Sequence, residues 1–336
     1  MKKVILGTAV AMALVAGTAV AGPTMYGKAH LSVDYLDNGD NYKEAAVSSN
    51  TSKIGVRGSK KLDNGYAAGY QFEFGYDVSD NDTFNSRNSG VWVGKKSIGS
   101  VLIGRWDTPM KRLGRKTDMF GEQVGDTRNM VAVDDRWNNV IRYVAPTFMH
   151  TNVSVMYSTD TATASDDNND NDGVSLSAVY DNGPAFLGLA YDQKNTLANT
   201  SYNDRKSWRL AGGYNLFNML DVNASYTDIE NTMNFSGYDT KVWTLGTAYK
   251  FGRNKVKLQF AGRDDYDNVQ DSGANMISVG LDHKLSKRTM AYVAYAMTDN
   301  EANSNTVPWK AGHGSTANGS FGNDSDSFSV GLVHKF

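Results

Sequence analysis

The stretch YAAGYQFEFGYD, residues 66–77, alternates without a break. Tyr66, Ala68, Tyr70, Phe72, Phe74 and Tyr76 fall on one side, and Ala67, Gly69, Gln71, Glu73, Gly75 and Asp77 on the other. A period of two is the mark of a β-strand whose faces meet different surroundings. Twelve residues is long for a globular sheet, whose strands average about five or six, and suits a tilted strand crossing a bilayer, which needs about nine to eleven.

The same pattern recurs along the chain. It predicts strands near 24–36, 51–62, 66–77, 87–96, 99–106, 136–146, 150–159, 173–181, 184–194, 205–214, 219–229, 239–250, 254–265, 274–285, 288–299 and 326–336. Short turns such as LDNG (62–65), KSIG (96–99), FGRN (251–254) and LSKR (285–288) alternate with longer polar loops, among them 37–50, 78–86, 107–135, 160–172 and 300–325. Sixteen strands with tight turns at one end and excursions at the other predict an all-β fold, a closed antiparallel transmembrane β-barrel. Closure follows from solvation, because hydrocarbon offers no partner to the amides of an open sheet edge. A soluble β-sandwich is the competing fold, but its strands would be shorter. Tyr26, Tyr35, Tyr143, Tyr157, Tyr180, Tyr191, Tyr214, Tyr226, Tyr249, Tyr292 and Tyr295 are expected near strand ends, as interfacial girdles.

The first 21 residues read as a secretory signal: Lys2 and Lys3, an apolar run from Val4 to about Val20, and small residues at Ala19 and Ala21. The barrel domain would then span 22–336. Without Lys2 and Lys3 the chain holds 32 basic and 36 acidic residues, a net charge of −4, which argues against nucleic acid as a partner. No cysteine is present, so no disulfide holds the chain. No later stretch approaches 18 consecutive apolar residues, which excludes spanning helices.

Segment 107–135 is about twice as long as its neighbours and holds TDMFGEQVGD (117–126), where Asp118, Glu122 and Asp126 carry the spacing of one face of a short helix. A structureless excursion of that size in a compact protein is usually functional. YGK (26–28), SKIGVRG (52–58), GRWDTP (104–109), TDMFGEQVGD, RWNNVIRYVAPTF (136–148) and the terminal GLVHKF, in this order, resemble the general-diffusion porins of Gram-negative outer membranes. GLVHKF and IRYVAPTF look nearer the neisserial and comamonad branch, and TDMFGEQVGD nearer the enterobacterial loop.

The resemblance implies that 107–135 is a third loop folded into the lumen, its acidic side Asp118, Glu122 and Asp126. The facing basic side would be Lys28, Lys53, Arg136 and, two residues earlier than the family pattern, Arg87. Parity adds Arg57 and Arg142: Ile54, Val56, Ile141 and Tyr143 suit lipid, so Lys53 and Arg57, and likewise Arg136 and Arg142, point inward. A lipid-facing Arg or Lys at mid-bilayer would cost about 2–4 kcal/mol. Arg105 shares the parity of Val101 and Ile103 and is expected at a strand end or a subunit contact, and Trp137 has the outward parity of Ile141. The bland alternative is that these cations are solvated lumen charges sharing no site. Phe336 resembles the C-terminal signal read by barrel-assembly machinery. The resemblance also implies a homotrimer, lipopolysaccharide and lipid as neighbours, and small hydrophilic solutes and ions as cargo; no cofactor is suggested.

Other functions fare worse. The five histidines, His30, His150, His283, His313 and His334, accompany no nucleophile motif, against an enzyme. A structural or adhesive barrel usually has fewer strands and a filled lumen. A solute-specific channel, for a sugar or small anion, would use an aromatic track to which Trp106 and Trp137 could belong. The acidic loop 160–172 lacks the glycine and distal glutamate of a calcium loop, which leaves a solvated external loop or divalent bridging to lipopolysaccharide. Ion selectivity stays open, because the net charge and the inward cations point opposite ways.

Overall fold

The computed structural model describes residues 22–80, 84–161, 171–196 and 203–336. Residues 1–21, expected to be a leader, and most of the acidic segment 160–172 lie outside them. The strands are β1 (Thr24–Asp37), β2 (Lys43–Ser49), β3 (Lys53–Lys61), β4 (Tyr66–Gly75), β5 (Asn85–Ser86), β6 (Ser89–Lys95), β7 (Gly99–Asp107), β8 (Arg136–Val144) and β9 (Thr151–Ser158). They continue as β10 (Gly173–Asp181), β11 (Ala185–Lys194), β12 (Arg205–Leu216), β13 (Leu220–Glu230), β14 (Thr240–Phe251), β15 (Asn254–Arg263), β16 (Ala274–Lys284), β17 (Thr289–Asn300) and β18 (Ser325–Lys335). One short helix, α1 (Pro109–Gly114), follows β7.

All neighbours pair antiparallel, and β18 returns to β1 with Leu31 opposite Leu332, Val33 opposite Val330 and Tyr35 opposite Phe328. The seam extends to the last residue: Gly27 and Phe336 exchange backbone hydrogen bonds of 3.0 and 3.1 Å. A side chain at position 27 would collide with the Phe336 ring, so glycine there lets the terminal aromatic pack against β1.

The eighteen segments make sixteen wall strands. β2 and β3 both pair with β1, β2 along its loop-side half and β3 along its turn-side half, so they form one strand broken at Asn50–Ser52, where Thr51 has φ 55°. β5 and β6 likewise share β4 as partner. This is the closed sixteen-stranded barrel expected from the periodicity. The first long loop is shorter than expected, since half of 37–50 is β2 and the connection is 38–42.

The alternation sorts the faces as expected for lipid outside. Val33, Val47, Val91, Ile103 and Leu187 leave more than half of their surface exposed on the outer wall. The inner wall is polar, with Ser32, Asp34, Ser154, Ser175, Ser207, Gln259, Ser278 and Ser329 buried. Two tyrosines assigned to the girdles belong inside: Tyr26 donates to Glu73 at 3.1 Å, and Tyr292 lies 2.9 Å from His30. Their even numbers in β1 and β17 place them with the polar face.

Bulges reset parity in one corner. Asn139 has φ 48°, and β7 and β8 lose register between Gly104 and Trp106. Trp137 therefore turns inward, 1% exposed, and clusters with Leu102, Val140 and Met156, with Trp92 and Trp106 against them. Its expected outward parity fails because counting by twos cannot see an inserted residue. Arg105 sits at this strand-end irregularity, bonded to the Ser86 carbonyl at 3.2 Å and to Asn138.

Candidate functional site

Segment 107–135 enters the barrel because its backbone groups are supplied with partners at every step. Thr108 caps α1, its hydroxyl accepting from the Lys111 amide at 3.1 Å, and Pro109 opens the first turn. The helix lies here and not in TDMFGEQVGD, which runs as turns: Glu122 has φ 67° and Gly125 φ 84°, both outside the right-handed helical region. Asp118 accepts from the Phe120 amide at 2.9 Å. Asp126 is fully buried and accepts from the amides of Glu122 (2.7 Å) and Arg128 (2.9 Å), while the Arg128 guanidinium closes on the same carboxylate at 2.5 Å.

Four side chains on two strands fix the loop to the inner wall. On β15, the Gln259 side chain donates to the Gly125 carbonyl at 2.9 Å and accepts from the Met119 amide at 2.8 Å. Lys257 donates to the Gln123 side chain at 2.7 Å, pairs with Asp282 at 2.9 Å, and sits 4.4 Å from the Phe120 ring centre. On β12, Arg209 holds Asp134 at 2.7 Å and the Met110 carbonyl at 3.1 Å, and Arg205 holds Asp135 at 2.6 Å.

With the loop fastened to β12 and β15, Glu122 is presented to the opposite wall. One carboxylate oxygen takes Arg115 at 2.8 Å and the other is ion-paired with Lys28. Burial away from water pushes this carboxyl up, but Lys28 and Arg115 outweigh it and hold it at about 2. Glu122 also adopts a left-handed backbone conformation that disfavours a β-carbon, a strain of the kind found at functional positions.

Behind Lys28, β3 and β4 add a second knot. Glu73 takes Lys53 at 3.3 Å, Arg87 at 2.9 Å and the Tyr26 hydroxyl at 3.1 Å, and Arg57 lies 4.9 Å from the Tyr26 ring centre. The structure thus gathers Glu122, Lys28, Lys53, Arg57 and Arg87 of the expected set. Asp126 is turned into the loop as a cap. Asp118 lies beside Asp126, and burial away from water, reinforced by that neighbouring carboxylate, pushes its carboxyl well up. Arg136 is held at the start of the loop by Asp107 (3.0 Å) and Asn88 (2.8 Å), where Lys111 also reaches Asp107 at 3.4 Å. Arg142 is buried against the Ser154 hydroxyl at 2.9 Å.

Residues absent from the sequence expectation complete the arrangement. Glu73 was visible in principle: it lies on the polar face of 66–77, and register places it opposite Gly55, between Lys53 and Arg57. Arg115 is one of five cations in a loop read only for its acids. The last loop, 301–324, also folds into the mouth. Trp309 is fully buried, Pro308 accepts from the Gly125 amide at 2.7 Å, the Ala311 amide donates to Asn129 at 2.7 Å, and His313 lies 3.1 Å from Asp34. A tryptophan and a proline within a run of Gly, Ser and Asn were the sequence signal for that insertion.

A family model described as "Gram-negative porin" matches residues 7–303. The chain belongs to the Gram-negative porins. Among curated porins it is 29% identical to outer membrane porin protein 32 of Delftia acidovorans over 322 residues, covering 90% of each chain. It is 25% identical to the major outer membrane protein P.IB of Neisseria gonorrhoeae over 338 residues, covering 88% and 92%. Among solved structures, an anion-selective porin from Comamonas acidovorans superposes with a TM-score of 0.82 at 26% identity, covering 94% of this chain and 99% of that one. The trimer form of OmpT from Vibrio cholerae shares the fold, with a TM-score of 0.71 at 14% identity over 94% and 99%. As a porin, the protein is a channel of the outer membrane and not an enzyme.

Proposed function

We propose that this porin passes small hydrophilic solutes and ions through a neck between Glu122 on the inserted loop and Lys28, Lys53, Arg57 and Arg87 on the wall, with a preference for anions. The observation that carries the reading is the charge count at the neck: Lys28, Lys53, Arg57, Arg87 and Arg115 against Glu73 and Glu122, an excess of three positive charges. Fixed opposed charges across a narrow aqueous passage order water and orient solute dipoles, and the excess sign biases which ion enters. The anion selectivity named for the Comamonas porin supports the same direction. A dedicated sugar track finds less support, because Trp137 is sealed inside its cluster and offers no ring face to a passing solute.

The proposal includes a homotrimer, as in the trimer form of OmpT, a leader at 1–21 removed on export, recognition of the Phe336 end by assembly machinery, and lipopolysaccharide around the loop end. Planar-bilayer recordings in a potassium chloride gradient test the central reading. Stepped currents with a reversal potential on the anion side are expected. Barrels that insert without passing current would overturn the channel, and a cation-side reversal would overturn the selectivity.

A further inference from the structure

The turn end of the barrel holds a feature that the neck does not use. The turns 251–254 and 285–288 and the end of β18 enclose a concavity of about 510 Å³, lined by Arg253, Lys284, Lys287, Arg288 and Lys335 together with Met290 and Val333. No carboxylate lines it. All five cations are exposed, and among the described residues none forms an ion pair, although ion pairs hold most inward cations elsewhere in the chain.

Backbone bonds from Lys284 to Arg253 at 2.9 Å and from Lys335 to Arg288 at 2.8 Å tie together segments that carry four of the five cations, and Lys287 adjoins Arg288 in the same turn. Val333 is buried on the inner face, which sets the concavity at the lumen rim. Lys335 is the register partner of Lys28, so the patch begins on the same wall as the neck.

We propose that this rim is a docking site for multivalent small anions, of the phosphate-ester or polycarboxylate class, at the exit of the channel. The inference rests on the channel reading above and extends it to a second site with a different preference. Coulomb attraction scales with the product of the charges, so five uncompensated cations around one concavity favour a di- or trivalent anion over chloride far more than the partly neutralised neck does. A volume of about 510 Å³ admits such a molecule with part of its water shell. Occupancy would hold an anion at one end of the lumen and make the current depend on the side from which it is supplied.

The test uses the full-length protein in planar bilayers of phosphatidylcholine, which is zwitterionic with no net charge, with pyrophosphate as probe. Pyrophosphate added to one compartment is expected to reduce the chloride current, with a weaker effect from the other side. In Arg253→Gln/Lys287→Gln/Arg288→Gln, the concentration for half reduction should rise roughly tenfold, the strength of three surface ion pairs together. Lys310→Gln, in the last loop at the opposite end, should leave it unchanged. Equal reduction from both sides, or an unchanged concentration in the triple variant, overturns the site. A response found only when phosphatidylglycerol is added to the membrane also overturns it, since the patch then reads lipid headgroups. Chloride steps in the same recordings keep the two proposals apart: steps without a pyrophosphate response refute the rim alone, and absent steps refute the channel.

Discussion

Replacing Glu122 by glutamine removes one negative charge from the neck while keeping the side chain's shape. The loop should stay in place, because Glu122 is only one of its attachments: Arg209 and Arg205 still hold Asp134 and Asp135, and Gln259 and Lys257 still hold residues 119–125. What changes is the field. An ion passing about 5 Å from the carboxylate interacts with it by about 0.8 kcal/mol in water, and screening at 0.1 M salt leaves about 0.5 kcal/mol. Removing that term lowers the barrier for an anion and raises it for a cation by about 0.5 kcal/mol each, about twofold in each permeability, so the anion-to-cation permeability ratio should rise about fivefold. Reversal potentials in a tenfold potassium chloride gradient, measured for both proteins, check this. A ratio unchanged within twofold, or a shift toward cations, would refute the placement of Glu122 in the ion path. A large increase in unit conductance would instead mean that the loop had left the lumen, and the argument for redundant attachment would be wrong.

Other outcomes follow from the same geometry. Because Lys28 and Arg115 hold the Glu122 carboxyl at about 2, below its usual 4.5, its charge is complete above about pH 4.5 and is lost only as pH falls through about 2; selectivity should therefore be flat from pH 4 to 6, and a step centred in that window would contradict it. Asp118 has the opposite sign, its carboxyl raised by burial and by Asp126, so it increasingly opposes folding as pH rises above the usual aspartate range. Asp118→Asn should raise the unfolding midpoint in urea more at pH 8 than at pH 4, and an equal or reversed effect would sink the assignment. Arg209→Leu leaves Asp134 without its partner, a loss of about 3–5 kcal/mol for a buried pair. It should expose 107–135 to limited proteolysis while the barrel persists, and unchanged protease resistance would show that Arg209 is not a main anchor. Gly27→Leu places a side chain where the Phe336 ring lies and should lower the yield of folded, heat-modifiable barrel on gels; normal yield would show that the terminal seam tolerates displacement.

The sequence alone determined the barrel. Alternation in 66–77 and its repeats requires two unlike solvents on the two faces of one sheet, and hydrocarbon outside requires closure, so strand number, the two unlike ends and the return of β18 to β1 follow from a local pattern plus the cost of an unpaired amide. The inward place of Lys53 was legible because parity and the family resemblance pointed the same way, whereas Lys28 and Glu122 were read from the resemblance. The partners that charges take were not legible. Asp126 and Glu122 lie four residues apart in the same loop, yet one caps backbone amides and the other faces the opposite wall. Tertiary structure alone decided that, because Gly125 and Glu122 turn the backbone through the left-handed region and send the two carboxylates in different directions. The inward turn of Trp137, the insertion of 301–324 and the pooling of five cations at the rim share that origin. Each depends on a bulge, a loop path or a contact between segments remote in sequence, and residue periodicity records none of them.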